Sequence, residues 1–181
     1  MEHQTIIKLL REKHSSFISY INSLSDEGFL FAHQQKWTAG QQLDHIYLSV
    51  KPVALALSLP KPLVRFFFGK ANRASKTYED LVKKYLNKLE NGGRATSRFI
   101  PKTIPISQKE TISKALSDHT NKLCSKIEKF TEQELDTFIL PHPLLGKLTI
   151  KEMLYFTIYH VEHHHEMTKQ NLKAFTSLVS H

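Results

Sequence analysis

The stretch YHVEHHHEM, residues 159–167, places four histidines in six positions: His160, His163, His164 and His165. Imidazole is both a good divalent-metal ligand and a proton carrier near neutral pH, so the chemistry depends on which rings can converge. On a helix, at about 100° per residue, His164 lies about 40° from His160, His163 about 60° to the other side, and His165 about 140° away. Three of the four can therefore share a face. Met153, Phe156, Thr157 and Met167 project in nearly the same direction, which makes that face the inward one, whereas Glu162 points to solvent. A histidine pair four residues apart sets two imidazoles one above the other, and both can reach one metal without bending the backbone. Any histidine-rich helix produces such a pair, so a merely polar cluster is the competing reading. The zinc-protease pattern is absent, because Val161 stands where its glutamate would follow the first histidine.

A third ligand has to come from another element. In WTAGQQLDHIYLSV, residues 37–50, Leu43, Ile46 and Val50 continue to Val53 and Leu57 as an apolar stripe. His45 lies about 100° from Ile46, among Gln41, Gln42, Ser49 and Pro52, on a polar shoulder of a buried helix. Read plainly it is a surface histidine; read functionally it is a ligand at a polar mouth between helices. Pro52 removes the helical hydrogen bond to the Leu48 carbonyl and is expected to bend the helix just beyond this point.

The elements that must position these residues start at recognisable caps. Thr38-Ala-Gly-Gln41, Ser107-Gln-Lys-Glu110 and Thr149-Ile-Lys-Glu152 fit the reciprocal Ser/Thr and Glu/Gln capping box, and Thr131-Glu-Gln-Glu134 opens a short turn before Pro141 and Pro143. The pattern predicts helices near 4–24, 38–59, 75–90, 107–130 and 149–173. That is an all-α fold, a four-helix bundle with a long helical crossover between the second and third long helices. Residues 96–106 are expected to be extended, and 142–149 to form a short ordered loop. No repeat, low-complexity tract or linker divides the chain, so residues 1–181 are expected to form one domain.

The formal charge is +8. Residues 61–102 hold eleven basic and three acidic residues, an excess equal to the whole net charge, while the rest of the chain balances. That segment lacks the interleaved aromatic and basic pattern of a single-strand binder, which argues against a nucleic-acid partner and for a solvated face or an anionic small ligand. Within it, PLVRFFFGK offers Phe66, Phe67 and Phe68, expected to pack in the core, with a flap, dimer or membrane-surface contact as the other reading. Cys124 is the single cysteine, so neither an intramolecular disulfide nor a multi-cysteine zinc site is available, and its flanks suit a packed helix position. The N-terminal stretch lacks a signal-peptide core and no run approaches the roughly 20 apolar residues of a membrane span. A cytoplasmic location is expected.

Taken together, Trp37-Thr38, Gln41 and Leu43-Asp44-His45-Ile46, with His142-Pro143, Gly146-Lys147-Leu148-Thr149, Tyr159-His160 and His163-His164, resemble the DinB-like family of four-helix bundles, which includes bacillithiol- and mycothiol-dependent transferases. The resemblance implies a metal held by one histidine of the second helix and two of the last, here His45, His160 and His164. It makes His163 a supporting or alternate contact and leaves His165 exposed. Gln41 and Asp44 are candidates to support the ligands from their closeness to His45 in sequence, with Asp44 better placed for solvent. Three neutral imidazoles suit Zn²⁺ or Ni²⁺ and leave a position for water or a thiol. The expected function is a metal-dependent thiol-S-transferase or hydrolase acting on a small-molecule substrate, with a low-molecular-weight thiol as cofactor and a homodimer as the compatible assembly. The alternatives are a noncatalytic metal-binding module and a bundle acting as an interaction protein without metal.

Overall fold

The computed structural model describes residues 1–179, with side chains through Phe175. Four long helices make the bundle: α1 (His3–Ser23), α3 (Ala39–Ala56), α6 (Lys109–Ile127) and α8 (Ile150–Val179), with the short α2 (Asp26–Leu30) between the first two. Each long helix buries a stripe spaced three or four residues apart; on α1 it is Ile6, Ile7, Leu10, His14, Phe17 and Ile21. α1 and α3 each pack against both α6 and α8, so the two pairs stand on the diagonals of the bundle. α3 and α8 are thereby neighbours, and a residue on one can meet a residue on the other across a shared groove. No helix among the described residues is long and apolar enough to cross a membrane.

Helix starts follow the caps in three of the four places. The Thr38 hydroxyl accepts from the Gln41 N–H at 3.1 Å while the Gln41 side chain accepts from the Thr38 N–H at 3.0 Å. Thr131 and Glu134 do the same for α7 (Glu132–Thr137), and Thr149 and Glu152 for α8. The predicted box at Ser107 does not form. Pro105 leads instead into a 3₁₀ turn, Ile106–Gln108, and α6 begins at Lys109 with no side-chain cap.

The crossover is richer than the helical pattern suggests. α3 runs through Pro52 to Ala56, and PLVRFFFGK forms a helix of its own, α4 (Lys61–Phe68), ahead of α5 (Tyr78–Glu90). Only Val64 is buried on α4, and Phe68, one turn later, is half-buried. Phe66 and Phe67 are 80% and 63% exposed, which corrects the expectation of core packing for all three. On a two-turn helix lying outside the bundle, Phe66 is about 200° round from Val64 and faces away, and Phe67, about 60° to the side opposite Phe68, stands at the edge of the inner face.

Basic residues of the crossover hold it in place. Both Arg73 guanidinium nitrogens donate to Glu152, at 2.6 and 2.8 Å, and the Lys76 N–H donates to the same carboxylate. The Glu152 side chain is fully buried at the start of α8. Burial alone would raise its pKa, but Arg73 and the backbone N–H groups of Lys76 and Thr149 outweigh that and hold it below the usual carboxylate range. Lys61 pairs with Glu134 at 2.6 Å, and Lys84 donates to the Leu145 carbonyl at 2.8 Å.

Residues 139–149, expected as a loop from His142 on, form a β-hairpin of β1 (Ile139–His142) and β2 (Gly146–Thr149), paired from Ile139 opposite Thr149 to His142 opposite Gly146. Gly146, at φ +80°, closes the three-residue turn in the left-handed region. Gly93 lets the end of α5 approach this turn, because a Cβ there would meet the Lys88 carbonyl oxygen at 2.5 Å and a Leu144 methyl at 2.8 Å.

Candidate metal centre

α3 presents His45 and α8 presents His160 and His164, and a ring nitrogen from each lies within 4.8 Å of the others. All three side chains are about 5% exposed. His45 therefore sits deeper than the polar shoulder expected of it, because the 3₁₀ turn Ser97–Phe99 closes over α3 from the crossover.

The two outer rings are oriented from behind. His45 Nδ1–H donates to the Phe99 carbonyl at 2.7 Å, which leaves the Nε2 lone pair facing His160 Nε2 at 3.1 Å. His164 Nδ1–H donates to the Gln42 side-chain oxygen, so its Nε2 is likewise free. The His160 ring stacks on Phe156, centroids 4.6 Å apart. Two nitrogens bound to one tetrahedral zinc stand about 3.3 Å apart, given Zn–N bonds near 2.0–2.1 Å. The His45–His160 separation fits that chelate.

Protonation favours it too. Burial, first, and the neighbouring histidines, second, push His160 and His164 well below the ordinary imidazole pKa. His45 is lowered chiefly by burial against the opposing Phe99 hydrogen bond. At neutral pH the rings are uncharged, the form in which imidazole binds a divalent cation.

A family model of the DinB superfamily matches residues 9–168. The chain belongs to the DinB superfamily. No curated protein matches it.

In this DinB-superfamily bundle the trio opens onto a cavity of about 1090 Å³. α3 and α8 form its floor, and the crossover and hairpin form its walls through Phe68, Leu89, Ile100 and Leu140. Met153, Phe156, Thr157 and Met167 line it alongside the histidines. Trp37 lies over the trio, 4.9 Å from the His45 ring and stacked on His164 at 6.2 Å, with its carbonyl accepting from Asn171.

The other expected residues divide. His163 lines the cavity beside His164, rings 5.4 Å apart, but stays outside the trio and stacks on Tyr159. Gln41 is held by its capping box; Gln42, fully buried, is the residue that reaches a histidine. Asp44 is half-buried rather than solvated, its pKa raised by burial in spite of Lys102. His165 is half-buried instead of exposed, packed on Tyr20 and Phe17 of α1 at 4.9 and 5.7 Å. Burial raises the Cys124 thiol to about 11, which suits the inert packed position expected of it.

Besides Gln42, two contributors had no assigned role in the sequence. The Phe99 carbonyl is a backbone atom supplied by a distant turn and carries no residue-type signal. His142, quoted in the resemblance, lines the cavity next to Phe156, rings 4.3 Å apart. Its Nδ1 accepts from the Leu144 and Leu145 N–H groups at 3.1 and 3.0 Å, so the proton of the neutral ring sits on Nε2. Burial, with Lys84 nearby, lowers its pKa to about 4 and keeps it in that neutral form.

Proposed function

We propose that this chain is a metal-dependent enzyme of the thiol-transferase or hydrolase type, in which His45, His160 and His164 hold a divalent ion, Zn²⁺ or Ni²⁺. The observation that carries the reading is the placement of three neutral, pre-oriented imidazoles at the floor of a cavity large enough for a small-molecule substrate. A site that only sequesters metal has no need of such a cavity. A divalent ion there supplies Lewis-acid activation of a thiol or of water at neutral pH.

The chain's own residues divide the remaining work. Phe99 and Gln42 fix the two outer rings so that their lone pairs converge without reorganisation when metal enters. Trp37 and Phe156 shield the trio from bulk water and strengthen every electrostatic interaction within it. No aspartate or glutamate among the described residues lines the cavity, so proton transfer falls to His163. His142, neutral with its Nδ1 engaged by the hairpin turn, offers its Nε2–H as a hydrogen-bond donor.

The test is turnover by zinc- or nickel-loaded protein of two panels: low-molecular-weight thiols with small electrophiles such as monobromobimane, and activated esters. Metal-dependent turnover that disappears in His45→Ala supports the reading. Stoichiometric metal binding with no turnover in either panel would make the chain a binding module instead.

A further inference from the structure

The cavity has a charge asymmetry that the metal reading does not require. Of the residues lining it, three are permanent cations, Lys36, Arg94 and Arg98, and none is acidic. All three are exposed, which puts them at the opening rather than on the floor. No ion pair links any of them to a carboxylate among the described residues; Arg94 donates to the Leu89 and Gly93 carbonyls, and Arg98 lies over the Phe99 ring. The pairing cations of the same crossover, Lys61 and Arg73, are elsewhere.

Two of the three stand beside elements that organise the trio. Lys36 precedes Trp37, whose ring covers His45 and His164, and Arg98 precedes Phe99, whose carbonyl holds His45. Behind this rim the lining turns apolar, through Phe68, Leu89, Leu140, Met153 and Phe156. A cleft with one sign of charge at its mouth concentrates counter-ions, and apolar walls favour a ligand that brings apolar surface with it.

We propose that the cavity binds an organic anion with an apolar body, its anionic group held at the rim by Arg94, Arg98 and Lys36 and its body against the apolar walls. This names the substrate class for the function proposed above and shares its cavity, but the anion contact is made by the rim and not by the metal ligands. A cationic or neutral ligand of the same body gains the apolar contact alone.

Trp37, the single tryptophan, lines the cavity and reports occupancy by its fluorescence. Octanoate, octanol and octyltrimethylammonium are titrated into wild-type protein, Arg94→Glu/Arg98→Glu and Arg98→Glu, each loaded with zinc and each metal-free, with circular dichroism to verify folding. Octanoate is expected to bind at least tenfold tighter than octyltrimethylammonium, to lose that advantage in the double variant and part of it in Arg98→Glu, and to weaken with added salt. The preference should survive metal removal. Equal affinities for the three probes would overturn the proposal, as would a preference that ignores the charge reversals or vanishes with the metal. Octanoate selection in a protein that takes up no zinc keeps this inference and removes the metal reading; zinc uptake without charge selection does the reverse.

Discussion

Two regions of this bundle bury histidine, and they do so differently. On α1, His14 is 1% exposed; its Nδ1–H donates to the Leu10 carbonyl one turn back, at 2.7 Å, and its Nε2 is buried with no partner. Burial lowers its pKa to about 4. On α3 and α8, His45, His160 and His164 are also buried and their pKa values also lowered, yet their ring nitrogens converge and the cavity opens beside them. Burial and a depressed pKa are therefore common to both regions and identify neither as a site. What separates them is a shared focus, with an orienting partner behind each outer ring.

The widest separation comes from deleting a ring in each region. His160→Ala is expected to weaken zinc binding by roughly 100-fold or more, beyond the usual cost of losing a supporting contact, whereas His14→Ala leaves it unchanged. Competition with a chromophoric chelator measures both. Comparable losses in the two variants would erase the distinction.

Acid stability sharpens the other side. The unfolded His14 ring takes a proton below its ordinary pKa of 6.5, while the folded ring refuses one until about 4. Its neutral burial therefore costs nothing above pH 6.5 and destabilises the fold progressively as pH falls toward 4, by about 3 kcal/mol at the acid end. His14→Leu should remove that share of the acid destabilisation, read by urea unfolding at pH 7 and pH 4.5 in the presence of a chelator. A slope unchanged by the substitution would assign the acid sensitivity to other groups.

Adjacent glutamines give two smaller contrasts. Gln42→Leu, which removes the acceptor behind His164, is expected to cost about 10- to 100-fold in zinc affinity. Gln41→Ala should cost about 1 kcal/mol of stability through its cap and shift zinc affinity less than twofold.

The glutamine pair also shows what was legible beforehand. The box Thr38-Ala-Gly-Gln41 already commits Gln41 to the helix start, so the free amide had to be the next one, and the sequence carried that information unused. The helical bundle was readable because α1, α3, α6 and α8 each repeat a buried stripe, and because α3 and α8 start at the capping boxes of their sequence. α4 was hidden by its brevity and by Pro60 and Pro62 at its start, and the hairpin by Pro141 and Pro143, the first at a strand position that an edge tolerates and the second in the turn. The Phe99 carbonyl was beyond reach, since it depends on where a turn 54 residues away comes to rest. The cations were visible only as a net charge; folding separates Arg73 and Lys61, which pin the crossover, from Arg94 and Arg98, which face the cavity.

The central claim is that one histidine of α3 and two of α8 form a single divalent-metal centre. Metal content by inductively coupled plasma mass spectrometry, on untagged wild-type protein and His45→Ala purified without chelator, tests it most directly. About one zinc or nickel ion per wild-type chain is expected, and none in a folded His45→Ala. Metal-free wild-type protein after zinc reconstitution, or equal metal content in the variant, would contradict it.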